Sequence, residues 1–156
     1  MSIAARIDSR LRAQHIAFEL MPHPPTGSTH ESAAAAHVPE DHIAKAVMLH
    51  DGDGHAMAVM PGDTWLHLDT LNRDSGRTFT LDEESALAGL LPDCAPGAVP
   101  PLGPLYGIET FLDEGLTTLG EVYFEAGDHQ HLVKVSGEDF LRLLAGVRQG
   151  HYGQRD

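Results

Sequence analysis

Interleaved helical and extended patterns, one strong hairpin signal and a run of closely spaced late strands predict a single mixed α/β (α+β) domain with an antiparallel component. A chain of 156 residues, 42% hydrophobic and 21% charged, has the size and apolar content for one buried core. Ile3, Ile7 and Leu11 recur at four-residue spacing through residues 3–14, with arginines between, as on an amphipathic helix. Ile16 to Met21 reads as a short strand stopped by Pro24 and Pro25. Ser28-Thr-His-Glu31 is a capping box for an alanine-rich helix over 31–37, which Pro39 ends. Ile43 to His50 and His55 to Met60 are strands joined by Asp51-Gly-Asp-Gly54, the strongest turn signal in the chain.

Further along, Thr64 to Asn72 predicts a short helix carrying Trp65, Leu68 and Leu71. Thr80-Leu-Asp-Glu83 predicts a second capping box and a helix to about Leu91. A loop rich in glycine and proline fills 92–107, and strands follow at 108–112, 121–126 and 131–135. Ser136-Gly-Glu-Asp139 caps a last helix from Phe140 to Val147, after which the tail is expected to fray. Residues 1–156 are read as one domain, with its core about 15–147 and no repeat or linker.

Charge narrows the function classes. Ten Lys and Arg against 23 Asp and Glu give −13, and protonating all eleven histidines would leave only −2. So acidic a domain has no broad basic face for DNA, and any nucleic acid must be met locally. Arg6, Arg10 and Arg12 crowd the first twelve residues against Asp8 alone, and the lysines are just Lys45 and Lys134. No apolar run approaches the ~20 residues of a membrane span, and no signal-peptide pattern opens the chain, so a cytoplasmic location is expected. Cys94 is the single cysteine, which excludes an internal disulfide.

Three segments carry residues suited to chemistry. Lys45 sits in the most apolar strand, sharing a face with Val47 and Leu49 while Ala44, Ala46 and Met48 share the other. It either guards a strand edge or presents its ammonium to a cleft. The loop Gly97-Ala-Val-Pro-Pro-Leu-Gly103 is stiffened at Pro100 and Pro101 and freed at its glycines. It is either a plain connection or a backbone cradle for a carbonyl. His129 and His131 would lie on one face if the strand already runs there, and His131 is the better placed as a proton donor or pocket wall. Neither HExxH nor CxxC occurs, so no metal site is expected. Cys94 has no adjacent histidine to make it a nucleophile.

Ile43-Ala-Lys-Ala-Val-Met-Leu49, the hairpin, Met60-Pro-Gly-Asp63, the Gly97-to-Pro101 loop and Ala126-Gly127 with His131 stand in a characteristic order. In this the chain resembles the YbaK / prolyl-tRNA-synthetase-associated domain family, trans-editing aminoacyl-tRNA deacylases, over about residues 15–147. The resemblance implies a curved, barrel-like mixed sheet flanked by helices. It implies metal-independent hydrolysis, without a cofactor, of the ester joining a small wrong amino acid to a tRNA for proline. The attacking group would be water or the neighbouring ribose hydroxyl. Lys45, Gly97 and Pro101 would be the catalytic positions, with Lys45 on the terminal adenosine or phosphate. Ala46, Val99, Pro100, Leu102, Gly127 and His131 would surround the amino acid. The implied partners are aminoacyl-tRNA and, as an option, a prolyl-tRNA synthetase, with neither membrane nor DNA. Two positions depart from the family pattern: Ala46 replaces the usual Thr or Asn, and Pro100 replaces a frequent Ser. Both make the site less polar. They keep open a second reading, a catalytically silent module that senses an amino acid or aminoacyl nucleotide. A third reading is a histidine-dependent metalloprotein.

Overall fold

The computed structural model describes residues 4–24, 29–82, 91, 93–94 and 98–155. The chain opens with α1 (Ala5–Ala13), whose Ile7 and Leu11 are fully buried one turn apart, followed by β1 (Glu19–Pro22) and α2 (Thr29–Ala36). The hairpin is present as read: β2 (Ile43–Asp51) pairs antiparallel with β3 (Gly54–Pro61) through eight registered positions, from Ala44 with Pro61 to Asp51 with Gly54. Gly54, at φ +143, gives the turn a backbone conformation that side chains resist.

Two expectations change in the middle of the chain. The helix read from Thr64 begins later, as α3 (Leu68–Ser75), because His67 supplies its cap by accepting from Thr70 N. Its predicted first turn is instead β4 (Trp65–Leu66). The sequence Thr80-Leu-Asp does not begin a helix: Thr80–Leu81 forms β5 against Leu49 and His50 of β2. Asp82, its carboxylate almost fully buried, accepts from His50 Nδ1 at 2.5 Å and His55 Nδ1 at 2.8 Å. A carboxylate that satisfies two cross-strand histidines is thereby withheld from helix capping. The rest of the expected helix, 83–90, lies outside the described residues.

Then come β6 (Glu109–Asp113), β7 (Glu121–Glu125), β8 (His131–Ser136), α4 (Gly137–Leu143), β9 (Arg148–Gly150) and β10 (Gly153–Gln154). Ser136 caps α4 through Asp139 N, as the sequence predicts, and Gly137 packs so closely on Leu119 O that a Cβ would lie 1.8 Å from it. The tail does not fray. Tyr152 is 1% exposed, and its N–H, with that of Gly153, donates to the buried Asp113 carboxylate.

The main sheet runs β1-β8-β7-β2-β3-β6-β9, with β5 added beside β2, while β4 and β10 make a separate pair. The β2–β7, β3–β6 and β6–β9 pairings are parallel and the other pairings of the main sheet antiparallel, so the mixed α+β class holds. The path ends on β1 and β9 without closing into a barrel. Each face buries its own core. Met48, Val59, Val122, Phe124 and Phe140 pack with α1 and α4 on one face, and Leu49, Met60, Phe79, Phe111 and Tyr152 pack with α3 on the other. A smaller cluster of Ala33, Ile43 and Leu132 holds α2.

Candidate functional site

The sheet splits beside β2. On the side away from β3, Ile43 and Ala44 pair with Tyr123 and Phe124 of β7, and farther along Leu49 and His50 pair with β5. Among the described residues no strand pairs with Lys45, Ala46 or Val47 on that side. The three residues at this split are half-buried, between the buried pairs Ile43–Ala44 and Met48–Leu49.

Strand alternation sends the side chains of the split to opposite faces, as the sequence pattern predicts. Ala46 packs toward the core of the α1–α4 face, in the same cluster as Val99 and Leu102 of the proline-rich loop. Val47 packs on the α3 face, and there the Lys45 ammonium donates to Gly62 O at 3.4 Å and to Thr64 O, with the exposed Trp65 ring 5.6 Å away. Burial lowers the Lys45 pKa from its usual value, while Glu40 and Asp63 act against that shift. The structure thus brings Ala46, Val99 and Leu102 into one cluster and places Lys45 across the strand from them.

The loop is packed rather than free. Ala98, Pro100, Pro101 and Leu102 are buried and Val99 half-buried. Gly103 is held against β6, where a Cβ would stand 2.0 Å from Thr110 Oγ1. Gly97 lies outside the described residues.

The end of β7 turns through Gly127 (φ +93), where a side chain would strike Ala4 Cβ at 2.9 Å and Cys94 Sγ at 3.1 Å. The next residue, Asp128, is 5% exposed and accepts from Gln130 N, His131 N and His131 Nδ1, the last at 2.6 Å. Although burial opposes it, these hydrogen bonds hold the Asp128 carboxyl below its ordinary range. An ionised Asp128 accepts the hydrogen on Nδ1 of His131 and so fixes the orientation of the ring. His129 is not on the strand face: it occupies the turn at φ +61, and β8 starts at His131.

Glu125, Asp128 and Trp65 escaped the sequence reading. Burial raises the Glu125 carboxyl, with His23 and His129 acting against the shift, and His23 Nε2 stands 3.9 Å from it. The signal for Asp128 was present, since an aspartate two and three residues before N–H groups that need a partner is the pattern of an Asx turn. Nothing in the sequence marks Glu125 or Trp65, because distant residues decide their surroundings: His23 for Glu125 and Lys45 for Trp65. Cys94 is unsuited to attack: burial pushes its thiol up to about 11, with Tyr106 and Asp93 as its polar neighbours. No three His, Cys, Asp or Glu side chains converge as metal ligands would among the described residues.

Comparison with known proteins gives the fold a context. The sequence pattern of the aminoacyl-tRNA editing domain matches residues 23–143. A comparison with curated proteins gives no match. Among solved structures, the hypothetical protein APE2540 superposes with a TM-score of 0.83 at 22% identity, covering 96% of this chain and 99% of that one. A candidate trans-editing enzyme for prolyl tRNA synthetase superposes at 0.79 and 23% identity, covering 97% and 96%. A signal transduction candidate from Marinobacter aquaeolei matches at 0.76 and 19% identity, with 97% of this chain laid on 30% of that much longer one. At these identities the structural likeness concerns the fold.

Proposed function

Because the chain belongs to the aminoacyl-tRNA editing domain family, we propose that it hydrolyses mischarged aminoacyl-tRNA, removing a small wrong amino acid from a tRNA for proline. The family match over most of the chain is the observation that carries this reading, and the split beside β2 is where this reading puts the pocket. An aminoacyl ester is already activated, so orientation and polarisation of its carbonyl suffice without a side-chain nucleophile. Water adds to the carbonyl carbon, the bond to the ribose oxygen breaks, and that oxygen leaves with a proton. The products are the free amino acid and a tRNA with its terminal hydroxyl restored. The neighbouring ribose hydroxyl is placed to hold the water or relay its proton.

In this reading Ala46, Val99 and Leu102 form the apolar wall for a small side chain, Pro100 adjoins it, and the Gly97-to-Pro101 loop takes the aminoacyl carbonyl. Gly127 and the Asp128-oriented His131 bound the pocket on the β7–β8 side. Lys45 acts across the strand on the terminal adenosine or its phosphate. An apolar pocket distinguishes amino acids that differ by one methylene by only ~10–200-fold, so the identity of the wrong amino acid turns on these few side chains.

The test is deacylation of tRNA for proline charged with alanine, serine, threonine or cysteine, at low salt. One ester should be lost. Lys45→Ala should slow that loss at least ~10-fold, the scale of one charge-assisted contact, while the variant stays folded. His131→Ala should change which ester is preferred, and unaltered preference would remove it from the pocket wall. A folded protein that spares all four esters would refute deacylation and leave a silent amino-acid-binding module, the role that the methyl of Ala46 favours.

A further inference from the structure

All ten cationic side chains lie within the described residues, and most are occupied. Arg12, Arg77, Lys134, Arg142, Arg148 and Arg155 are paired with carboxylates, and Lys45 is turned onto backbone carbonyls. Among the described residues this leaves Arg6, Arg10 and Arg73 without a carboxylate partner. Arg6 and Arg10 are one turn apart on α1 and line the same groove, about 350 Å³, with Ala5, Ser9 and Ala13 of that helix and Leu105 across from them. The Arg6 guanidinium is steadied rather than neutralised: it lies 5.0 Å above the Tyr106 ring and donates to Leu105 O at 3.4 Å.

The groove starts where the candidate pocket ends. Ala4 N donates to Ala126 O, beside Gly127, and Arg6 N donates to Asp93, next to Cys94. The first turn of α1 is therefore pinned both to the β7–β8 turn and to the segment that leads through Leu102. Positions 6 and 10 are separated by about 6 Å of rise along the helix axis, a spacing that lets each arginine take a separate phosphate of one strand. In a chain of net charge −13, two arginines that no described carboxylate neutralises favour a polyanion in this groove.

We infer that the Arg6–Arg10 groove of α1 is the seat of the RNA backbone whose 3′ end enters the pocket. This rests on the deacylase reading and names the surface by which its substrate is held. The occupant is RNA rather than an acidic peptide because the groove adjoins a pocket proposed for the 3′ terminus.

The experiment compares wild type, Arg6→Ala/Arg10→Ala and Arg73→Ala for binding to tRNA for proline across a salt series, with thermal melts as a folding control. The double variant should bind at least ~10-fold more weakly at low salt, and the slope of log K against log[salt] should fall by about 1–2. Its loss in kcat/KM should be larger on intact aminoacyl-tRNA than on an aminoacylated CCA trinucleotide, which lacks the stem. Arg73→Ala should keep the wild-type slope. A folded double variant with wild-type affinity and slope would overturn the groove and leave the deacylase reading standing. A wild-type protein that binds tRNA through these arginines yet hydrolyses no ester would support the groove and overturn the deacylase reading instead.

Discussion

His15, His37 and His129 are the described non-glycine residues with positive φ, at +54, +57 and +61. A left-handed backbone costs a side-chain-bearing residue about 1–2 kcal/mol, and histidine bears it better than most. His15 follows the end of α1, its N–H donating to Arg12 O, and it is exposed. His15→Gly should therefore stabilise the domain by about 0.5–1 kcal/mol in urea unfolding, the relief of backbone strain exceeding the added freedom of the unfolded chain. This strain was hidden in the sequence, because histidine carries no stop signal comparable with glycine. Lys45 was legible, as a lone cation in an apolar strand, but its direction was not: that depends on Gly62 and Thr64 offering carbonyls on the α3 face. Asp128 was passed over although its spacing to His131 was in plain view.

Among the elements, the hairpin was read almost to the residue and so was the Ser136 cap of α4, since turn glycines and a serine cap act locally. The helix itself starts at Gly137 and stops at Leu143 rather than running from Phe140 to Val147. β5 and β4 were read as helix because their partners lie far along the chain: Thr80 meets His50 of β2, and Trp65 and Leu66 pair with Gln154 and Gly153 of β10. The same non-local logic governs β6. Its last residue, Asp113, is 4% exposed and accepts from Gly115, Tyr152 and Gly153 N–H groups, so one carboxylate ties β6, the following 3₁₀ turn (Glu114–Leu116) and β10 together. Asp113→Ala would orphan three donors, two of them fully buried. The expected loss is about 2–4 kcal/mol, read as a lower urea midpoint with deacylation retained wherever the chain is folded.

Across the whole molecule, the C-terminal segment closes the α3-side core. Tyr152 meets Phe111 edge-on with ring centroids 6.1 Å apart, and its hydroxyl donates to Asp74 at 2.8 Å. Deleting residues 148–156 should leave Phe79 and Phe111 uncovered, lower Tm by well over the ~4–8 °C that about 1 kcal/mol costs a small domain, and open the chain to limited proteolysis. An unchanged melt would mean that the tail merely rests on the core. The sequence could not announce this closure. Its final residues are mostly polar or glycine, and the positions of Asp113, Phe111 and Asp74 make them structural.

Pairing across long stretches of chain also bears on biosynthesis. Glu19 of β1 waits for Lys134 of β8, Ala58 of β3 for Phe111 of β6, and Phe111 in turn for Arg148. On the ribosome the hairpin emerges early, yet the fully apolar run Ala56 to Met60 has no sheet neighbour beyond β2 until β6 is made. A nascent chain halted between those two points exposes a sticky edge, and its escape from aggregation falls to chaperones or to the pace of translation.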